Sequence, residues 1–257
     1  MLSPLLYSLF TNDCRSNNNS KLVFKFSDDT TTEGLITNTD ETVYRSEVDR
    51  LVDWCGDNNL ELSVSKTKEM VIDFRRKKTP TTPLVIKGQT VEMVDSFRFL
   101  DTIINKHLKW EDNITSLAKK AQQRMIFLRQ LRKFGVSRKI LIQFCQAVTE
   151  SVLTFSVSVW HGSASVHDQK LLDGIVRVAS KLRGCELPSL ESIFTTRIQR
   201  KVRRITSDHH HPVHHLLQCL PSGRHFRTSK MRTCCFKNSF YPKAGQIMPP
   251  VPSTTTQ

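Results

Sequence analysis

The chain has 257 residues and a mass of 29.5 kDa, with 38% apolar and 24% charged side chains. A chain of this length hides roughly 70% of its unfolded surface, enough for one large domain or two small ones, and the composition excludes a mostly disordered or collagen-like chain. The formal net charge is +14.

That charge is unevenly spread. Residues 1–60 carry 5 basic and 10 acidic side chains, residues 61–117 carry 10 and 8, and residues 118–257 carry 23 and 6. An acidic front and a strongly basic back point to a polyanion as partner of the back half. No apolar run reaches the ~18 residues a bilayer-spanning helix needs, so no membrane partner is expected. The N-terminal MLSPLLYSLFTNDC has neither a basic flank nor a small-residue cleavage site, which points to an intracellular, unsecreted chain. Cysteines 14, 55, 145, 185, 219, 234 and 235 are odd in number, irregularly spaced and free of CxxC pairs, as in reduced compartments.

Ser3–Phe10 reads as the end of a helix, with Pro4 tolerated in its first turn. After a polar turn, Leu22, Phe24 and Phe26 alternate with Lys21, Val23 and Lys25, the period of a strand. Asp28 and Asp29 fall at a hairpin turn, and Thr30–Thr32 begin the return strand. Asn38 and Glu41 match a capping box for a helix over about 40–57, with Val43, Val48, Leu51, Val52 and Cys55 as its apolar stripe. Leu60, Leu62 and Val64 lead to a strand through Met70, Val71, Ile72 and Phe74. Arg75–Lys78 and the Thr/Pro run 79–83 read as a loop, and Leu84–Ile86 with Thr90–Val94 as a hairpin turning at Lys87-Gly88-Gln89.

Beyond residue 108 the period becomes helical. Ile114, Leu117, Ala121, Met125, Leu128 and Leu131 recur at three- and four-residue steps, with Gly135 as the stop signal. Ser137 is the N-cap of a second helix that turns Ile140, Leu141, Phe144, Val148 and Val152 inward. A third helix spans about 168–183, with Leu171, Leu172, Ile175, Val176, Ala179 and Leu182 as its stripe. Ser189 caps a fourth, rich in Arg197, Arg200, Lys201, Arg203 and Arg204. The tail after Pro242 reads as loose. The fold class is α+β: hairpins plus a helix, then a basic helical bundle.

Asp28 and Asp29 are adjacent carboxylates at a hairpin tip, an arrangement that a divalent cation stabilises. Two-metal phosphoryl transfer needs a further carboxylate from a neighbouring strand, and Asp13, in a polar turn, does not supply it. Lys119, Lys120, Arg124, Arg129, Arg132 and Lys133 interleave with the first apolar helical stripe and could follow a phosphate backbone. They could equally be the solvated face of a bundle. His209, His210, His211, His214 and His215, followed by Cys219, Cys234 and Cys235, match no regular zinc spacing and read as a polar loop entering a short helix, His214–Leu220. Cys145 and Cys185 read as core.

Four ordered pieces carry a resemblance: Leu2-Ser3-Pro4-Leu5-Leu6, Phe26-Ser27-Asp28-Asp29-Thr30, Leu62 to Lys68, and Phe97-Arg98-Phe99-Leu100. Together they resemble the reverse transcriptase of non-LTR, LINE-type retrotransposons. Leu187–Leu190 and Cys219–Arg227 resemble the far end of such polyproteins. The resemblance implies a partial polymerase palm over 1–108, a helical thumb-like region over 109–205, a basic His/Cys-containing region over 206–245 and a disordered tail over 246–257. It implies that Asp28 and Asp29 hold Mg²⁺, that Lys66 faces the leaving pyrophosphate, and that Arg98 touches the primer. It implies an RNA/DNA template–primer as partner. It also places the fingers and the first catalytic aspartate in an N-terminal half upstream of Met1. The expectation is a truncated remnant of an RNA-directed DNA polymerase, inactive alone. Asp101 stands where the family has glycine, an acid beside the primer path. The stretch from Leu62 to about Arg76 also resembles the N-terminal segment of alkylated DNA repair protein AlkB homologue 8. No His-x-Asp or His-x-Glu occurs, so the iron site of a 2-oxoglutarate dioxygenase is not expected.

Overall fold

The computed structural model describes residues 4–16, 21–75, 81–220, 226–227, 231 and 233–248. Arg76–Pro80, Pro221–His225, the first residues of the Leu2–Leu6 piece and the tail 249–257 lie outside them. The chain is α+β and divides into two compact units, Met1–Phe97 and Arg98–Gln257.

In the first unit, α1 (Pro4–Phe10) leads to a hairpin of β1 (Lys21–Phe26) and β2 (Asp29–Gly34). Lys21 pairs with Gly34 and Phe26 with Asp29, so Ser27 and Asp28 alone make the turn. Ser27 adopts φ 54°, the left-handed conformation that tight hairpin turns demand. The period-two pattern is confirmed as a strand, but its apolar face is uncovered: Leu22, Phe24 and Phe26 are all exposed.

The helix α2 (Thr42–Asp57) starts later than expected, and the capping box does not form. Asn38 instead sits at φ 55° in a turn closed by the Thr37–Asp40 bridge. The N-cap position is Glu41, without a side-chain cap bond, and Asp40 just before it satisfies one free donor, its carboxylate accepting the Thr42 amide N–H at 2.9 Å. Val48, Leu51 and Cys55 are buried as the stripe requires, whereas Val43 is exposed.

The expected strand through Met70, Val71, Ile72 and Phe74 does not form; a two-residue strand, β3 (Lys68–Glu69), stands just before it. It pairs in parallel over two residues with β6 (Glu92–Met93), leaving Ile72 and Phe74 exposed. Between them β4 (Val85–Ile86) and β5 (Gln89–Thr90) form the anticipated hairpin. Lys87 and Gly88 both have positive φ there, which a two-residue turn with right-handed strand twist requires. Val48, Leu84, Ile86 and Val91 form one small core and Cys14, Leu51 and Cys55 another. Glu69, almost fully buried, accepts the Leu84 amide N–H at 3.3 Å. Burial, reinforced by the Glu69 carboxylate, pushes the Tyr44 hydroxyl far above its ordinary range.

The unit boundary falls within β7 (Ser96–Phe99), whereas the change from strand to helix comes only after Trp110. The second strand, β8 (Thr102–Asn105), belongs with the helices: the Ile103 N–H donates to the buried Asn113 side chain at 3.0 Å. Asn113 lies in α3 (Glu111–Lys133), and the α3 stripe is as the period predicts. Ile114, Leu117, Ala121, Met125 and Leu128 are each at most 3% exposed. Gly135 (φ 69°) ends the helix in a Schellman motif: its N–H reaches the Arg132 carbonyl at 3.1 Å and the Val136 N–H reaches Leu131 at 3.2 Å.

Next come α4 (Arg138–Phe144), a π-helical turn Cys145–Glu150, α5 (Ser151–Leu153) and α6 (Val157–Trp160). Ser137 occupies the cap position of α4, but its side chain makes no cap bond, and Ile140 is exposed. The π turn shifts the helical register, so Cys145, Thr149, Val152 and Leu153 all face inward. Among the described residues one helical stretch, Arg138–Ser163, has the length and apolarity to cross a bilayer. Ser156 (φ 48°) interrupts it, and Leu141, Cys145, Val157 and Trp160 belong to the core of this unit.

Then come α7 (Val166–Arg183) and α8 (Leu190–Ser207), each capped by a serine: Ser189 as expected, Ser165 without having been singled out. Ser165 and Ser189 accept the amide N–H three residues on, both at 3.1 Å. After a 3₁₀ turn His214–Leu217 come α9 (Cys234–Lys237) and α10 (Phe240–Ile247). The chain after Pro242 is therefore not loose up to Met248: Pro242 sits in the first turn of α10, where its missing N–H costs nothing, and Ala244 and Met248 are core.

Candidate nucleic-acid interface

Two helices of the second unit present parallel cationic stripes. On α3, Lys119, Gln122, Ile126, Arg129 and Lys133 recur at steps of three and four, so they share one face. From first to last they cover about 21 Å of helix. On α7, Lys170, Gly174, Arg177 and Lys181 follow the same rule, and all six cations are exposed. An open groove of about 760 Å³ lies between the helices. Its floor is apolar: Ile126, Leu171 and Val178 are partly exposed, with Met125 and Ile175 beneath them. Gly174 has no other atoms near the position its Cβ would take, which leaves the groove open at mid-length. Leu171, expected inward, is thus a groove residue.

The six basic residues of α3 separate into two groups. Among the described residues Lys119, Arg129 and Lys133 make no ion pair or hydrogen bond. Lys120, Arg124 and Arg132 are committed to the protein itself. Lys120 binds both carboxylate oxygens of Asp101 at 2.8 Å. Arg124 donates to the Val148 carbonyl of the π turn at 2.9 Å, and Arg132 to the Lys181 carbonyl, also at 2.9 Å.

Arg98 is spoken for as well, donating to Asp101 at 2.8 Å. Asp101 (φ 65°) and Leu100 (φ 44°) make the β7–β8 turn, the left-handed geometry that favours glycine at such a place. The acid is not a bare repulsive charge. Hydrogen bonds from Lys120 foremost, and from Arg98, hold its carboxyl below the usual carboxylate range, although burial opposes them. On α8, Arg197 is turned inward to the Thr154 carbonyl and hydroxyl, the latter at 2.8 Å. Lys201 lies 4.9 Å from the Phe240 ring centroid, while Arg200, Arg203 and Arg204 are exposed.

In the first unit, Asp28 lies in the Ser27-Asp28 turn, Asp29 is the first residue of β2, and both are exposed. Burial raises the Tyr7 hydroxyl pKa, and the Asp28 charge adds to that. Lys66 is exposed in a turn that closes on the Ser63 carbonyl. Asp13 accepts the Trp54 indole N–H at 3.3 Å. Among the described residues no three His, Cys, Asp or Glu side chains converge to hold an ion. Asp28 and Asp29 by themselves do not fit a metal centre, because a hard dication needs further oxygen donors opposite them. The His209 and His214 rings lie 4.9 Å apart between centroids, tilted by 55°, and among the described residues no cysteine completes a site there.

A family model described as "Alkylated DNA repair protein alkB homolog 8, N-terminal" matches residues 110–151. The match starts at the N-cap of α3, includes Lys119, Arg129 and Lys133, and ends just past the π turn. A similarity to this segment was expected on Leu62–Arg76; its place is instead α3 and the helix after it. No curated protein and no solved structure matches the chain.

Proposed function

We propose that the second unit is a sequence-nonspecific nucleic-acid-binding module whose α3–α7 groove follows a phosphate backbone. The observation that carries this reading is an open groove between α3 and α7 lined by Lys119 and Arg129, with Lys133 on the same face of α3 and Lys170, Arg177 and Lys181 exposed along α7. Charges already satisfied by carboxylates gain little from a phosphate; free ones release counterions from the polyanion and gain much. The groove lining holds no aromatic ring, so it offers no stacking platform for bases. Contacts to phosphate position a nucleic acid without reading its sequence. The matching family's description names a DNA-repair protein, which accords with such a partner; no alkyl- or methyl-transfer chemistry is carried over from it.

The test is fluorescence anisotropy with random-sequence 20-mers of RNA and DNA over a salt series. The triple variant Lys119→Glu/Arg129→Glu/Lys133→Glu is expected to weaken binding at least ~100-fold, and the salt slope to fall by about 2–3. Unchanged affinity in the triple variant would overturn the reading.

A second reading rests on the Phe26–Asp29 hairpin. A two-residue turn with Asp28 at its tip and Asp29 opening the return strand suits the palm of an RNA-directed DNA polymerase. In that reading the chain is a retrotransposon remnant. Asp28 and Asp29 would hold Mg²⁺ together with a further carboxylate, Lys66 would offset charge on the leaving pyrophosphate, and Arg98 would lie near the primer. Primer extension with Mg²⁺ that is lost in Asp28→Asn would establish it. Binding without extension would leave the module reading alone.

A further inference from the structure

Cys185 does not behave as core. It sits just beyond α7 and its Gly184 cap, partly buried, where sequence reasoning took it for a core residue. Two arginines converge on it. The Arg183 Nε–H donates to its Sγ at 2.9 Å. Arg138, from the first turn of α4, ties its Nη2 to the Gly184 carbonyl at 2.6 Å, which fixes a second guanidinium beside the same sulfur. Arg183 is itself 8% exposed, and among the described residues its Nη1 has no hydrogen-bond partner. Burying a guanidinium with an unused donor costs free energy unless an anion balances the charge. The Nε–H partner of this guanidinium, the Cys185 sulfur in its ionised form, is such an anion. The same guanidinium acts on Cys145, a fully buried thiol of the π turn.

We propose that Cys185 is a modification site: a thiolate held by Arg183 and Arg138 and poised for attack on hydroperoxides. In the reaction the thiolate sulfur attacks the distal peroxide oxygen. An S–O bond forms and the O–O bond breaks. Sulfur is oxidised by two electrons, giving a sulfenic acid, and the peroxide is reduced by two, its leaving oxygen departing as hydroxide or alkoxide and taking a proton from water. Thiolate, not thiol, is the nucleophile, so the paired cations set the rate.

The charges agree with the geometry. Hydrogen bonding to Arg183, and then to Arg138, lowers the Cys185 pKa. Cys145 is moved the opposite way, raised by burial and by the Glu150 charge against the pull of Arg183. The two thiols beside one guanidinium are therefore unequal, and Cys185 is the reactive member.

The test uses the full chain, with dilute hydrogen peroxide as the oxidant and a 1,3-dicarbonyl sulfenate trap, followed by mass spectrometry of each cysteine peptide. Cys219 and Cys234 are more exposed and serve as internal references. The expected result is trapping at Cys185 at pH 7 at least ~5-fold faster than at either reference, and a fall of about 3-fold or more in Arg138→Gln. Arg138→Gln is the working variant because Arg183 is buried and its removal could unfold the bundle. Iodoacetamide labelling on the same samples gives a second readout of thiolate character. Trapping at Cys185 no faster than at Cys219 and Cys234, or unaffected by Arg138→Gln, would overturn the proposal.

Discussion

Two aromatic-rich stretches of this protein meet opposite fates. On β1, Phe24 and Phe26 are 46% and 64% exposed. In the second unit Trp160 is 0% exposed and its indole N–H reaches the Phe155 carbonyl at 2.8 Å. The first unit buries its apolar residues in two small clusters under two-residue strands. The second gathers α3, α7, α8 and α10 around one core. A two-stranded ribbon cannot cover its own face, whereas helices joined by short loops cover each other. Strength of sequence periodicity therefore does not decide burial; the presence of a second layer does.

The comparison can be broken most directly by truncating one aromatic in each region. Trp160→Ala is expected to cost about 3–5 kcal/mol in urea denaturation, since it empties a fully enclosed site. Phe24→Ser is expected to cost under ~0.5 kcal/mol and to reduce aggregation, followed by light scattering, because an exposed apolar patch is removed. Equal losses at the two sites would erase the distinction. Limited proteolysis sharpens it further: cuts are expected first within 1–97, with a product spanning most of 98–248 persisting.

Next in size is the pH response of His161. Burial lowers its pKa below the ordinary 6.5, the more so with Lys243 nearby, while Glu191 and Asp173 pull it up. The unfolded chain thus takes up the proton before the folded one does. Stability of the second unit is full above about pH 6.5 and declines as pH falls toward the lowered folded value. The urea midpoint is expected to drop between pH 7.5 and 5.5 in the native sequence, and to drop less in His161→Asn.

The smallest effects belong to the exposed charges. Asp101→Asn removes two half-exposed ion pairs and is expected to cost less than about 1 kcal/mol. It also frees Lys120 and Arg98, so nucleic-acid binding should tighten by about 2- to 5-fold in the anisotropy assay. Weaker binding in Asp101→Asn would show that the pairs position the interface instead of competing with it.

The sequence by itself determined the helices of the second unit. The α3 stripe, the Ser165 and Ser189 caps of α7 and α8, and the Gly135 stop all act within a few residues, so local period and capping chemistry reveal them; Ser165 was not singled out, though it obeys the same rule as Ser189. The Lys87-Gly88 turn was legible for the same reason, whereas the β1–β2 turn falls on Ser27-Asp28, one residue before the Asp28-Asp29 expected. The charge gradient also showed which half carries the excess of basic side chains. Tertiary structure alone decided which cations are free. Lys120, Arg124 and Arg132 look like Lys119, Arg129 and Lys133 in the sequence, but their partners Asp101, Val148 and Lys181 come from elements 19 to 49 residues away. It decided as well that α10 closes the core and that Cys185 meets Arg138 besides Arg183, because each of these depends on which distant segments pack together, and no local pattern encodes that.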